Sequence, residues 1–91
     1  MSDKRDTIRL DKGLWQARFF KSRSIAATVV TTGKVRVNGD LAAKPARGVG
    51  EGDVLTFHQK TDVRIVKILG LGTRRGPAPE AQALYDEMSP P

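Results

Sequence analysis

The sequence contains no cysteine. That excludes disulfides, thiolate zinc sites and a cysteine nucleophile, and it suits the reducing cytoplasm, where the protein is expected to reside. Long apolar runs are missing too. The longest largely apolar stretch, Ile25–Val30, falls far short of the roughly 20 residues of a membrane-spanning helix. The polar start MSDKRD has no secretory apolar core, so no membrane partner is expected. The sole histidine, His58, has neither a nucleophile nor a metal partner nearby and reads as an ordinary surface residue. Asp11 belongs to a helix start and Asp53 to a turn, and nothing pairs them as acid and base. Gly70-Leu71-Gly72 lacks the third glycine and the following helix of a dinucleotide fingerprint. The protein is therefore expected to be no enzyme and to use no cofactor or metal. Aromatic residues are scarce at 5%, too few for a platform on which single-stranded bases stack.

What the sequence does hold is positive charge, unevenly spread. The chain has 91 residues, one domain's worth, and a net charge of +6. Residues 1–50 contain eleven Lys and Arg against four acids, whereas residues 51–91 contain five against six. A one-sided field of this kind attracts a polyanion. The same charge also suits a merely solvated face.

Periodicity supplies the layout. Residues 1–7 are expected to be a flexible N-terminus. Leu10, Leu14 and Ala17 fall on one face of a first helix, with Trp15 and Phe19 as a second i, i+4 pair beside them. These aromatics, with Phe20, are assigned to the core. Asp11 suits the start of that helix through the dipole. Gly13 is costly in mid-helix, implying either a close neighbour or a weak helix. Ser22 or Ser24 can cap a second helix whose apolar face is Ile25, Ala26, Val29 and Val30, and Gly33 is placed to end it; the β-branched run Thr28–Thr32 makes a strand the competing reading, with the four-spaced pairing and the caps favouring helix. The period then changes to two at Val35 and Val37, followed by the hairpin signal Asn38-Gly39. Leu41–Ala43 is expected to pair back briefly, Ala46–Glu51 to be a loop, and Val54–Phe57 and Val63–Leu69 to be strands. Glu80–Met88 reads as a short amphipathic helix with Ala81, Leu84, Tyr85 and Met88 on one side. The expected fold class is α+β: two N-terminal helices packed on a small, mainly antiparallel sheet, with a short C-terminal helix.

Several fixed-spacing pieces together resemble a known family. They are Arg9-Leu10-Asp11-Lys12, Leu14, Lys21-Ser22-Arg23-Ser24, Ala26-Ala27, Gly33-Lys34-Val35, Val37-Asn38-Gly39, Lys44-Pro45 and Gly52-Asp53-Val54. This set is similar to the S-four domain, the α-L RNA-binding motif. Leu14–Lys21 and the later Arg75-Gly76-Pro77-Ala78-Pro79-Glu80-Ala81 with Leu84-Tyr85 look like the stand-alone, ribosome-associated heat-shock protein fifteen group. Gly13 departs from that group, which usually carries tryptophan there. The resemblance implies a domain over residues 8–72 with its motif core at 8–58, followed by a C-terminal extension over 73–91.

The binding residues follow from charge and from the resemblance together. They are Arg9, Lys12 and Arg18 of the first helix; Lys21, Ser22 and Arg23 of the corner; Lys34 and Arg36 of the first strand; and Lys44 and Arg47 on the rim. A helix N-terminus near Ser22–Ser24 adds N–H groups for phosphate, and Arg offers a fork where Lys offers a point charge. Arg9 has a second reading, bracing the fold through an acid. Arg74 and Arg75 are either a further phosphate contact or merely exposed. The resemblance implies structured ribosomal RNA of the large subunit as partner, in rescue of stalled or heat-stressed ribosomes; separately, the protein is expected to be a monomer. Charge alone equally permits structured DNA. Two rival readings are a protein-interaction adaptor using Leu84, Tyr85, Met88 and exposed Trp15 or Phe19, and an accessory subunit of an RNA-modifying complex.

Overall fold

The structure, a computed structural model, describes residues 6–59, 61–72 and 75–88. Most of the N-terminus expected to be flexible, and Arg74, lie outside them. Chain order is β1 (Ile8–Arg9), α1 (Leu10–Gln16), α2 (Arg23–Thr31), β2 (Val35–Val37), β3 (Asp40–Leu41), β4 (Gly48–Val49), β5 (Val54–Gln59), β6 (Asp62–Ile68), α3 (Ala78–Gln82) and β7 (Tyr85–Glu87). Five strands form an antiparallel sheet in the order β3-β2-β5-β6-β7, and β1 pairs separately with β4. No helix among the described residues is long and apolar enough to cross a membrane.

Alternation decides which face of the sheet is covered. Val35, Val37, Leu55, Phe57, Val66 and Ile68 point inward and are buried, together with Leu10 and Leu14 of α1 and Ala26 and Val30 of α2. Burying these side chains removes apolar area from water, which supplies most of the folding energy. Arg36, directly opposite Thr56 and Leu41 in the ladder, must then point to the other face, away from the helices.

Both helices end in the same way, but only one announces it. α2 is capped by Ser22, whose Oγ accepts from the Ile25 N–H at 3.1 Å. It closes on Gly33 at φ 78, with Gly33 N bonded to Val30 O and Lys34 N to Val29 O, a Schellman motif. α1 stops at Gln16, three residues before Phe19, through the same motif: Arg18 N bonds to Trp15 O and Phe19 N to Leu14 O. Here a non-glycine, Arg18, occupies the left-handed position at φ 64. The expected Trp15–Phe19 helical pair is therefore corrected. Phe19 turns off the helix into the core, 5% exposed, with its ring centroid 4.9 Å from Phe57 and 4.5 Å from Tyr85.

The C-terminal segment needs a second correction. The helix expected over Glu80–Met88 is the five-residue α3, and Tyr85–Glu87 is a strand. The free edge of β6 captures it: Leu69 N bonds to Leu84 O and Met88 N to Ile65 O. Arg64 fastens the strand by pairing with Glu87 and sits over the Phe19 ring at 5.0 Å. Burial by itself would lower the Arg64 pKa, but hydrogen bonds and charge from Glu87 and Tyr85 outweigh it and leave it raised. The loop expected over Ala46–Glu51 contains β4, which holds β1 against the start of α1.

Candidate nucleic-acid interface

The α1–α2 corner is assembled around one carboxylate. Asp11 is 4% exposed. Its Oδ1 accepts from Arg9 Nε at 3.1 Å and from the Lys12 backbone N–H at 2.8 Å. Its Oδ2 accepts from Arg9 Nη2 at 3.2 Å and faces Arg23 Nε at 3.6 Å. Arg9 thus does brace the fold through an acid, yet its side chain remains 52% exposed, and that of Arg23 44%.

A third segment joins them. α1 has no side-chain cap; instead Leu10 N donates to Arg47 O at 2.9 Å and Asp11 N to Pro45 O at 3.2 Å. These bonds satisfy the orphan donors at the start of α1 and bring the Lys44–Arg47 loop against the corner. Lys44 and Arg47 are exposed there. Lys21, exposed, and Ser22, half-buried, lead into α2, whose first turn offers its remaining N–H groups and dipole end to an anion. The corner therefore gathers Arg9, Lys12, Lys21, Ser22, Arg23, Lys44 and Arg47.

The other predicted cations lie elsewhere. Arg18 Nη1 donates to Gly76 O at 3.0 Å, tying α1 to the C-terminal segment. Arg75 makes the reciprocal tie, donating to Trp15 O at 3.3 Å with its guanidinium 5.9 Å from the indole centroid. Lys34 follows the far end of α2, about 13 Å from Arg23 along a helix of this length. It shares the outer sheet face with Arg36, whose Nη1 donates to Gly39 O at 3.2 Å. A notch there is lined by Gly33, Lys34, Arg36, Thr56, Phe57 and His58. The single contiguous patch expected from sequence is thus two surfaces, separated by the sheet.

The residues assigned to an adaptor surface are mostly covered. Phe19 is buried and Tyr85 packs on it, so of the residues assigned to that role only Met88 is strongly exposed, at 51%. Sequence reasoning allowed Asp11 a local pair with one arginine but missed its joining of Arg9 and Arg23. A lone acid among cations, two positions after Arg9, was the available signal.

The chain is similar to known proteins over most of its length. The S4 domain model matches residues 8–55. A heat shock protein 15 homolog of Haemophilus influenzae is 45% identical over 88% of this chain and 60% of its own length. Heat shock protein 15 of Escherichia coli K12 is 42% identical over 88% of this chain and 59% of its own. The chain thus spans about 60% of the length of these curated relatives. A Listeria innocua protein named RQC P-site tRNA stabilizing factor is 39% identical over 68% of this chain and 66% of its own. Among solved structures, a Vibrio cholerae heat shock protein 15 described as trimeric superposes with a TM-score of 0.86 at 44% identity, covering 92% of this chain and 84% of that one. With its family match running through both helices, the hairpin and the start of β5, the chain belongs to the S4 domain family.

Proposed function

We propose that the protein is a non-catalytic RNA-binding protein whose α1–α2 corner grips the backbone of structured ribosomal RNA. The observation that carries this reading is the pairing of half-exposed Arg9 and Arg23 on one buried carboxylate, with the basic Lys44–Arg47 loop docked on the same corner by backbone hydrogen bonds. Such an array reads backbone shape, as suits an A-form duplex or a folded junction. The names of the relatives, heat shock protein 15 and a factor stabilizing P-site tRNA, support a ribosomal target. We extend the reading to rescue of stalled or heat-stressed particles, with the large subunit as platform. Lys34 and Arg36 make a separate, weaker contact from the outer sheet face.

Fluorescence polarisation with a labelled RNA hairpin, competed with purified large subunits, tests this. Arg23→Ala is expected to weaken binding about tenfold and to flatten the salt slope by about one. A DNA hairpin of the same sequence is expected to bind less tightly, because its groove geometry differs. Parental affinity in Arg23→Ala, Lys21→Ala and Arg47→Ala alike would overturn the interface.

A further inference from the structure

The corner contains an acid where charge alone would forbid one. A carboxylate beside a phosphate-binding surface repels the ligand, and Asp11 lies at its centre. We infer that Asp11 is a positioning residue of the RNA interface: it fixes the guanidiniums of Arg9 and Arg23 in one shared orientation before RNA arrives.

The geometry supports this at each link. Asp11 is buried, so the phosphate never meets it directly, whereas both arginine partners are about half exposed. Its own orientation is held by the Lys12 N–H bonded to Oδ1 and by the docking of Asp11 N on Pro45 O. Arg9 presents one edge, Nε and Nη2, to the carboxylate, and its opposite edge is left for a phosphate oxygen. Arg23 faces the carboxylate through Nε at 3.6 Å, an ion pair longer than a hydrogen bond, so attraction to the acid biases its orientation. A free arginine loses rotamer entropy on binding; one already pinned has lost it on folding. One acid thus joins β1, α1 and α2 into a prearranged pair of forks.

This inference rests on the RNA-binding reading, and the test separates the two. Asp11→Asn keeps the size of the side chain and removes one negative charge from the corner. If Asp11 were only a nearby negative charge, the variant would bind the labelled RNA hairpin more tightly. Positioning predicts the opposite: binding about fivefold weaker, the scale of freezing one or two arginine side chains, with an unchanged salt slope. In an Arg9→Ala/Arg23→Ala background the sign reverses, because only the charge remains: adding Asp11→Asn there tightens binding. Should Asp11→Asn fail to fold by circular dichroism, Arg9→Lys/Arg23→Lys replaces it. That variant retains the acid and both charges but loses the forks, and about fivefold weakening at constant slope is again expected. Parental or tighter binding of the folded Asp11→Asn protein, or parental binding of the lysine pair, overturns the inference. If Arg9→Ala and Arg23→Ala themselves bind as the parent does, the RNA-binding corner has failed instead.

Discussion

At Gly13 an added Cβ would meet Ile8 Cγ2 at 3.5 Å and Val49 Cγ2 at 4.0 Å, ordinary contact distances. No neighbour demands the glycine. An apolar cavity of about 30 Å³ lies beside it, lined by Ile8, Phe19, Val49, Leu71 and Tyr85 among others. Gly13→Ala is expected to stabilise the fold by about 1 kcal/mol through helix propensity and lower unfolded-state entropy. Thermal unfolding would show the midpoint rising by about 4–8 °C for a domain of this size. Phe57 is the converse case. It is fully buried and touches both Phe19 and Phe20, so Phe57→Ala should cost about 3–5 kcal/mol in denaturant unfolding. The core assignment of Phe19 and Phe20 holds and that of Trp15, half-buried outside the core cluster, does not; the helical spacing behind it fails, because α1 ends at Gln16. The role of Asp11 was not legible, because a carboxylate at a helix start already has an adequate local explanation, and its partner Arg23 is brought to it only by helix packing.

At the scale of elements, α2 shows what local chemistry can announce. Ser22 at its start and Gly33 at its end are both where capping rules put them, and the Asn38-Gly39 turn has the positive φ values, 53 and 87, that its sequence demands. Ser22→Ala is expected to lower stability by about 1 kcal/mol, seen as a shift in urea midpoint at constant slope. α1 ends unannounced because Arg18 holds a conformation normally left to glycine. What sustains it is non-local: the burial of Phe19 and the Gly76 carbonyl bonded to Arg18. β7 was misread for a related reason. Ala81, Leu84, Tyr85 and Met88 fit a helical face, but the open edge of β6 offers backbone partners that an isolated helix of that length cannot match. Tyr85→Ala should cost about 2 kcal/mol, less than a fully buried aromatic, and hydrogen exchange of Ile65–Ile68 should speed up as the edge strand loosens.

For the molecule as a whole, the charge imbalance between chain halves becomes a spatial one. The corner cations come from residues 9–47, and neutralising about five phosphates there predicts a log K against log salt slope of roughly −3.5 to −4.5. Arg36→Ala should change affinity by only about twofold, since its guanidinium lies beyond the sheet from the corner and contributes one screened contact. An effect matching that of Arg23→Ala would show that RNA wraps across both faces. The monomer read from the sequence is set against the trimer of the Vibrio relative. Sedimentation velocity over a wide concentration range should show a single species of monomer mass without RNA, and a concentration-dependent heavier boundary would replace that reading.

Fold class, the two helices, the hairpin and the supply of cations are all legible along the chain, because each is written in short-range terms: period, caps, turn residues and charge. Which cations meet emerges only when the chain has folded. The Lys44–Arg47 loop joins the corner because α1 lacks a side-chain cap and takes its N-terminal partners from that loop's carbonyls. Lys34 and Arg36 leave it because the alternation that buries Val35 and Val37 must turn their neighbours outward. The docking of the loop depends on where distant backbone groups come to rest, which no local pattern encodes, whereas the outward turn of Lys34 and Arg36 is already written in the alternation.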